Sequence, residues 1–226
     1  MTEWLFTPAP TPSLPVVGDG RRFPIRRILC VGQNYAAHVR EMGGDESRPE
    51  PFFFSKPADA VVTDGEDPAY PSSTTNLHHE VELVVAIGTA DDGTIKAIGW
   101  AVGVDLTRRD LQAAAKEKGR PWDASKGFDQ SAPCGPITLG ALPDPSAAIA
   151  LSVNGAVKQS GDLSDMIWNP QEIVEKAGEL WTLQPGDLIF TGTPEGVGPV
   201  IAGDRVEASI GGLATLIFTV GATIAS

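Results

Sequence analysis

Short strands dominate the hydrophobic pattern of the chain. Val81-Glu82-Leu83-Val84-Val85-Ala86-Ile87 is an apolar, β-branched run of the kind a buried strand requires. A second run, Ile98 to Val104, follows the turn signal Asp91-Asp92-Gly93, which predicts neighbouring antiparallel strands over 81–88 and 95–104. Further strands are predicted at 26–32, 52–57, 136–139, 149–153 and 187–193. Asn154-Gly155 is the strongest hairpin signal, and 205–210 with 213–220 reads as another hairpin. Helices are expected over 33–42, closed by Gly43-Gly44, from 106 to 112, and over 170–181 with Asn169 as N-cap and Pro170 in the first turn. Residues 43–51 read as a mobile loop able to act as a lid, and 116–129 as a loop. Four prolines make 7–15 an extended arm or edge segment. The expected fold is α+β, a mixed and rolled β-sheet with a few short helices. It forms one domain over 26–226, preceded by an arm over 1–25.

Polar residues inside this pattern carry the candidate chemistry. Glu80 and Glu82 are two apart in the strand-like run 78–87, so they share a face. The face is either solvated or holds something positive between the carboxylates, because burying like charges unpaired is costly. Asp105, ending the 95–104 strand, favours the second reading: three carboxylates suit a hard divalent cation such as Mg2+ or Mn2+ and leave positions open for substrate oxygens. His38 and Glu41 are three apart on a predicted helix, so the carboxylate can orient the imidazole, or the two can form an inconsequential exposed pair. Lys126 is flanked by small residues, as a lysine approaching a ligand would be, although a solvated loop lysine has the same setting. The glycines of 194–199 let backbone N–H groups approach a ligand, and Thr193 could help to hold a carboxylate there.

Composition narrows the partners. A chain of 226 residues with 42% hydrophobic content is long enough for one sizeable core. Its net charge of -12 argues against nucleic acid or anionic membrane, so a small anionic substrate needs local positive charge. No apolar run reaches the ~18 residues of a membrane span and no export signal is evident, which predicts a cytoplasmic protein. Cys30 and Cys134 stand alone and read as core residues.

Five segments together resemble the fumarylacetoacetate hydrolase family: 31–38 (VGQNYAAH), 78–83 (HHEVEL), 105–112 (DLTRRDLQ), 125–129 (SKGFD) and 191–198 (TGTPEGVG). Within it the chain is most similar to the compact acylpyruvate and fumarylpyruvate hydrolases, a likeness that extends to 52–61. The resemblance implies a rolled β fold, a homodimer, and Mg2+ or Mn2+ held by Glu80, Glu82 and Asp105. It also implies a water-activating pair in His38 and Glu41, contacts from Lys126 and Gln112 to substrate or metal-bound water, a buried arginine at Arg109 and a carboxylate contact at Thr193. Arg108 stands where relatives often have a small residue. The implied reaction is hydrolysis of a carbon–carbon bond in a 3-acylpyruvate, with fumarylpyruvate the leading substrate. The alternatives are oxaloacetate decarboxylation, isomerisation or decarboxylation of an unsaturated keto diacid, and metal-dependent binding of a keto acid without turnover.

Overall fold

The computed structural model describes residues 3–41, 50–63 and 65–223. The apolar run becomes the strand Val81–Thr89, buried along its whole length except at Thr89. A strand buried on both faces needs the continuous apolar sequence seen here. It pairs antiparallel with Ile95–Val104 on one side and with Asp187–Phe190 on the other. Asp187–Phe190 then pairs parallel with Arg27–Gly32, Phe52–Lys56 forms one edge, and Thr138–Leu139 forms the other. The parallel pair makes this six-stranded sheet mixed, as expected.

Alternation sends side chains of the central strand into two cores. Leu83, Val85 and Ile87 pack with Ile149, Leu151, Val206 and Ala208 of a four-stranded antiparallel sheet and with Ile173 and Ala177 of the helix Pro170–Leu180. Val84 and Ala86 face the other way, toward Cys30, Phe190, Leu14 and Phe23. The last two belong to a hairpin of Ser13–Val16 with Asp19–Pro24, so from Ser13 onward the proline-rich segment is paired and anchored. Asn169 caps Pro170–Leu180 by accepting from the N–H groups of Gln171 and Glu172, as its sequence indicates.

Three local expectations need correction. The first helix, Ala36–Glu41 among the described residues, starts at Ala36 rather than at 33, because Gln33 has a left-handed φ of 61° and the Asn34 amide is tied to Trp168 and Thr191. Thr107–Arg108 is a short strand beside Leu77–His79, which delays the second helix to Arg109–Glu117. The 116–129 loop contains a helical turn, Asp123–Lys126. Most of the expected lid, residues 43–49, lies outside the described residues. No helix among the described residues is long and apolar enough to cross a membrane.

Candidate metal centre and active-site cleft

Antiparallel pairing of Val81 with Val104 brings the beginning of one strand to the end of the other, and the Asp105 N–H donates to the Glu80 carbonyl at 2.8 Å. Oxygens of Glu80, Glu82 and Asp105 consequently lie within 4.8 Å of one another, and these residues are only 5%, 1% and 0% exposed. Lys126 Nζ donates to Glu80 Oε2 at 2.8 Å, Asp105 Oδ2 at 2.5 Å and Thr107 Oγ1 at 2.7 Å. Lys56 Nζ is 2.8 Å from Asp105 Oδ1 but directs its hydrogen bonds to the carbonyls of Leu106 and Lys126, leaving Oδ1 without one. The Gly192 N–H donates to Glu82 Oε2 at 2.7 Å. Glycine is needed there: its φ is +94°, and a Cβ would fall 2.7 Å from that of Asn34.

The electrostatics match a cation site. Burial, then the charges of Asp105 and Glu80, raise the Glu82 carboxyl well above its ordinary range. Burial alone would lower the Lys126 ammonium, but Asp105 and Glu80 outweigh it and the group stays above the usual lysine value. The donors are hard carboxylate oxygens without thiol or imidazole among them, which fits Mg2+ or Mn2+. An Asp105 oxygen that accepts no hydrogen bond and a destabilised Glu82 carboxylate are what such an ion would satisfy.

Glu80, Glu82 and Lys126 form one end of a cleft whose cavity measures about 30 Å³. Arg109 and Gln112 enter it from the helix Arg109–Glu117. Arg109 donates from Nη2 to Glu80 Oε1, from Nη1 to Gln112 Oε1 at 2.6 Å and from Nε to His78 Nδ1 at 3.3 Å. His78 accepts there, so its Nε2–H donates to Asn76 Oδ1 at 2.9 Å. Burial and then Arg109 lower the His78 imidazole to about 4, keeping it in this neutral form. Since the Gln112 carbonyl is taken by Arg109, its amide nitrogen is the group left to donate.

Thr193 also lines the cavity, held by a residue from the four-stranded sheet. Gln159 Oε1 accepts from the Val81 N–H and from His79 Nδ1, both at 3.0 Å, which fixes the amide. Its Nε2 then donates to Thr193 Oγ1 at 2.7 Å and to the Pro194 carbonyl at 2.9 Å. Because Oγ1 already accepts, the hydroxyl hydrogen of Thr193 is available to an anion.

The remaining expected residues are placed less directly. Glu41 is exposed and accepts from the Gly196 N–H at 3.3 and 3.2 Å, joining the first helix to the loop after Thr193. His38 belongs to that helix, but its side chain lies outside the described residues. Arg108 stacks over Phe128 at 4.4 Å and donates to the Ala124 carbonyl, outside the lining of the cleft. Sequence reasoning missed Lys56, Thr107, His78, Gln159, Lys116 and Trp122. Of these, Lys56 carried a usable signal: a lysine on the Phe52–Lys56 strand that is buried must have an anionic partner.

Comparison with known proteins identifies the family of the chain. The family model described as fumarylacetoacetate (FAA) hydrolase C-terminal matches residues 27–221. A fumarylpyruvate hydrolase from Ralstonia sp is 44% identical over 184 residues, 78% of this chain and 96% of the relative. The mitochondrial oxaloacetate tautomerase of Homo sapiens is 40% identical over 203 residues, 86% of this chain and 91% of the relative. The crystal structure of fumarylpyruvate hydrolase from Pseudomonas aeruginosa in complex with Mn2+ and pyruvate superposes with a TM-score of 0.91 at 46% identity, covering 97% of this chain and 100% of that one. The chain therefore belongs to the fumarylacetoacetate hydrolase family.

Proposed function

We propose that the protein is a Mg2+- or Mn2+-dependent hydrolase that cleaves a 3-acylpyruvate between its third and fourth carbons, with fumarylpyruvate as the substrate and fumarate and pyruvate as the products. The observation that carries this reading is the convergence of three buried carboxylates with Lys126, Arg109 and Thr193 at one cleft. Its support from outside the chain is the likeness to a fumarylpyruvate hydrolase solved with Mn2+ and pyruvate.

Held by Glu80, Glu82 and Asp105, the cation would supply Lewis-acid charge beside the 2-oxo acid end of the substrate. Thr193 donates its hydroxyl to the substrate carboxylate. His38, one helical turn before Glu41, takes a proton from water as the water oxygen attacks the 4-oxo carbon. Gln112 donates its amide N–H to the oxygen that becomes negative, and Lys126 adds positive charge nearby. The bond between the third and fourth carbons then breaks, its electron pair leaves on the third carbon, and protonation there yields pyruvate. Arg109 holds Glu80 and Gln112 in register for this step.

A second reading, action on oxaloacetate, draws support from the 40% identity to a mitochondrial oxaloacetate tautomerase. A substrate panel separates the two: fumarylpyruvate, maleylpyruvate, acetylpyruvate and oxaloacetate, each with Mn2+, Mg2+ or chelator. The hydrolase reading expects metal-dependent release of one pyruvate per acylpyruvate consumed. Oxaloacetate turnover without pyruvate release from any acylpyruvate would overturn it. We also propose a homodimer that covers sheet edges and the N-terminal arm. A mass near 23.7 kDa by light scattering at micromolar concentration would contradict that part.

A further inference from the structure

The helix Arg109–Glu117 presents Arg109, Gln112 and Lys116 to the cleft. Steps of three and four residues put them on one face, and the helical rise carries Lys116 about 10 Å beyond Arg109 along the axis. The first two side chains are engaged with each other, and Arg109 also with Glu80 and His78. Lys116 differs: its ammonium lies 5.0 Å from the centroid of the Trp122 ring, without a carboxylate at ion-pair distance among the described residues. Partial desolvation at the cleft wall, then Arg109, lowers it from the ordinary lysine value.

Trp122 is itself held in place. Its ring meets that of Phe52 edge-on at 4.8 Å and that of Phe54 at 5.8 Å. Trp122 and Phe54 both line the cavity, so an aromatic wall accompanies the approach from the carboxylate end to the Lys116 ammonium.

We propose that Lys116 and Trp122 form the subsite for the distal end of the substrate, and that the substrate is a diacid whose acyl group is planar, conjugated and terminated by a carboxylate. This deepens the hydrolase reading and rests on it. The ammonium offers three donors to a distal carboxylate. The aromatic wall takes a flat conjugated chain. In a chain with a net charge of -12, a dianion needs a dedicated cation at each end of its site. A methyl-terminated acyl group would leave Lys116 without an ionic partner and gain less from binding.

The test uses the full Mn2+-loaded chain and Lys116→Met, which keeps most of the stem and removes the charge. Calorimetry compares oxalate, which offers only a chelating end, with 2-oxoadipate, which adds a distal carboxylate. The variant should bind 2-oxoadipate about tenfold or more weakly, the worth of one charged hydrogen bond, while oxalate affinity changes much less. Lys116→Arg should restore most of the difference. In turnover, kcat/KM for fumarylpyruvate should fall about tenfold further than that for acetylpyruvate, chiefly through KM. Equal losses for both ligands, or no loss for 2-oxoadipate, would overturn the subsite. Binding requires no turnover, so the two readings fail separately. A wild-type protein that binds both ligands but cleaves no acylpyruvate refutes hydrolysis alone, and an active enzyme indifferent to Lys116→Met refutes the subsite alone.

Discussion

The two ends of the cleft are built on different principles. At the carboxylate end, Glu80, Glu82 and Asp105 project from buried strand ends and meet Lys56, Lys126 and Arg109, nearly all of them out of contact with solvent. Three negative and three positive side chains balance, so a divalent ion added to this set leaves positive charge for an anionic substrate. At the mouth, Lys116 is exposed and sits on a helix rather than on the sheet. A buried polar network tolerates little change because every partner lost leaves a charge unpaired, whereas an exposed residue can be exchanged at small cost. The deep end is thus suited to fixed chemistry and the mouth to substrate choice.

The largest test of that contrast is Glu82→Gln. It should remove Mn2+ binding measurable by calorimetry, and turnover with it, while circular dichroism retains the folded spectrum. Unchanged affinity would break the assignment of the deep end. Next is His38→Ala, which should lower acylpyruvate cleavage about 100-fold, the usual worth of a general base, with Mn2+ affinity intact. Oxaloacetate decarboxylation, if present, should fall less because it needs no attacking water; equal losses would mean that His38 positions substrate instead.

A smaller effect, about tenfold in KM, is expected from Gln159→Leu, because Thr193 loses the donor that orients its hydroxyl. Gln159→Glu sharpens the point. It keeps an acceptor for Val81 and His79 but would itself take the Thr193 proton, so it should weaken pyruvate binding at least as much as leucine does. Full recovery in the glutamate variant would reduce Gln159 to a structural residue.

The smallest effect is one of pH. Glu82 has a folded-state value above its unfolded one, so its contribution to stability is present below the ordinary carboxylate range and is lost as pH rises through the raised value. A bound cation favours the ionised form, so Mn2+ should bind more tightly and raise Tm more at pH 8 than at pH 5. A Tm increment that does not change with pH would mean that Glu82 keeps or loses its proton regardless of the ion.

The same contrast governs what could be read from sequence. Glu80, Glu82 and Asp105 were legible because charged residues in an apolar run conflict with burial unless something pairs them. Gln112 and Arg109 became legible only through family resemblance, since a helix face of polar residues has no such conflict. Gln159 was invisible: it lies in a largely polar strand, Ala156–Asp162, and is enclosed by His79 and Val81 on one side and by Thr193 and Pro194 on the other, contacts that only the tertiary fold creates. The sheet itself followed from hydrophobic runs and turn residues. The start of the first helix did not, because tertiary bonds to Asn34 override the local helical pattern.

The parallel pairing of Asp187–Phe190 with Arg27–Gly32 also sets the order in which the molecule can form during synthesis. Arg26 and Asp187 are 161 positions apart, Asn34 and Thr191 are 157 apart, and the Gly192 N–H reaches Glu82 across 110. Contacts between such distant segments close slowly, because the loop entropy is lost before any contact repays it. A nascent chain that has emerged only to residue 186 carries all three carboxylates, yet lacks one of the two strands that flank Val81–Thr89 and the N–H that satisfies Glu82. Ribosome-bound intermediates of that length should therefore bind Mn2+ poorly, and capture of the ion should wait until the Asp187–Phe190 strand and Gly192 have emerged.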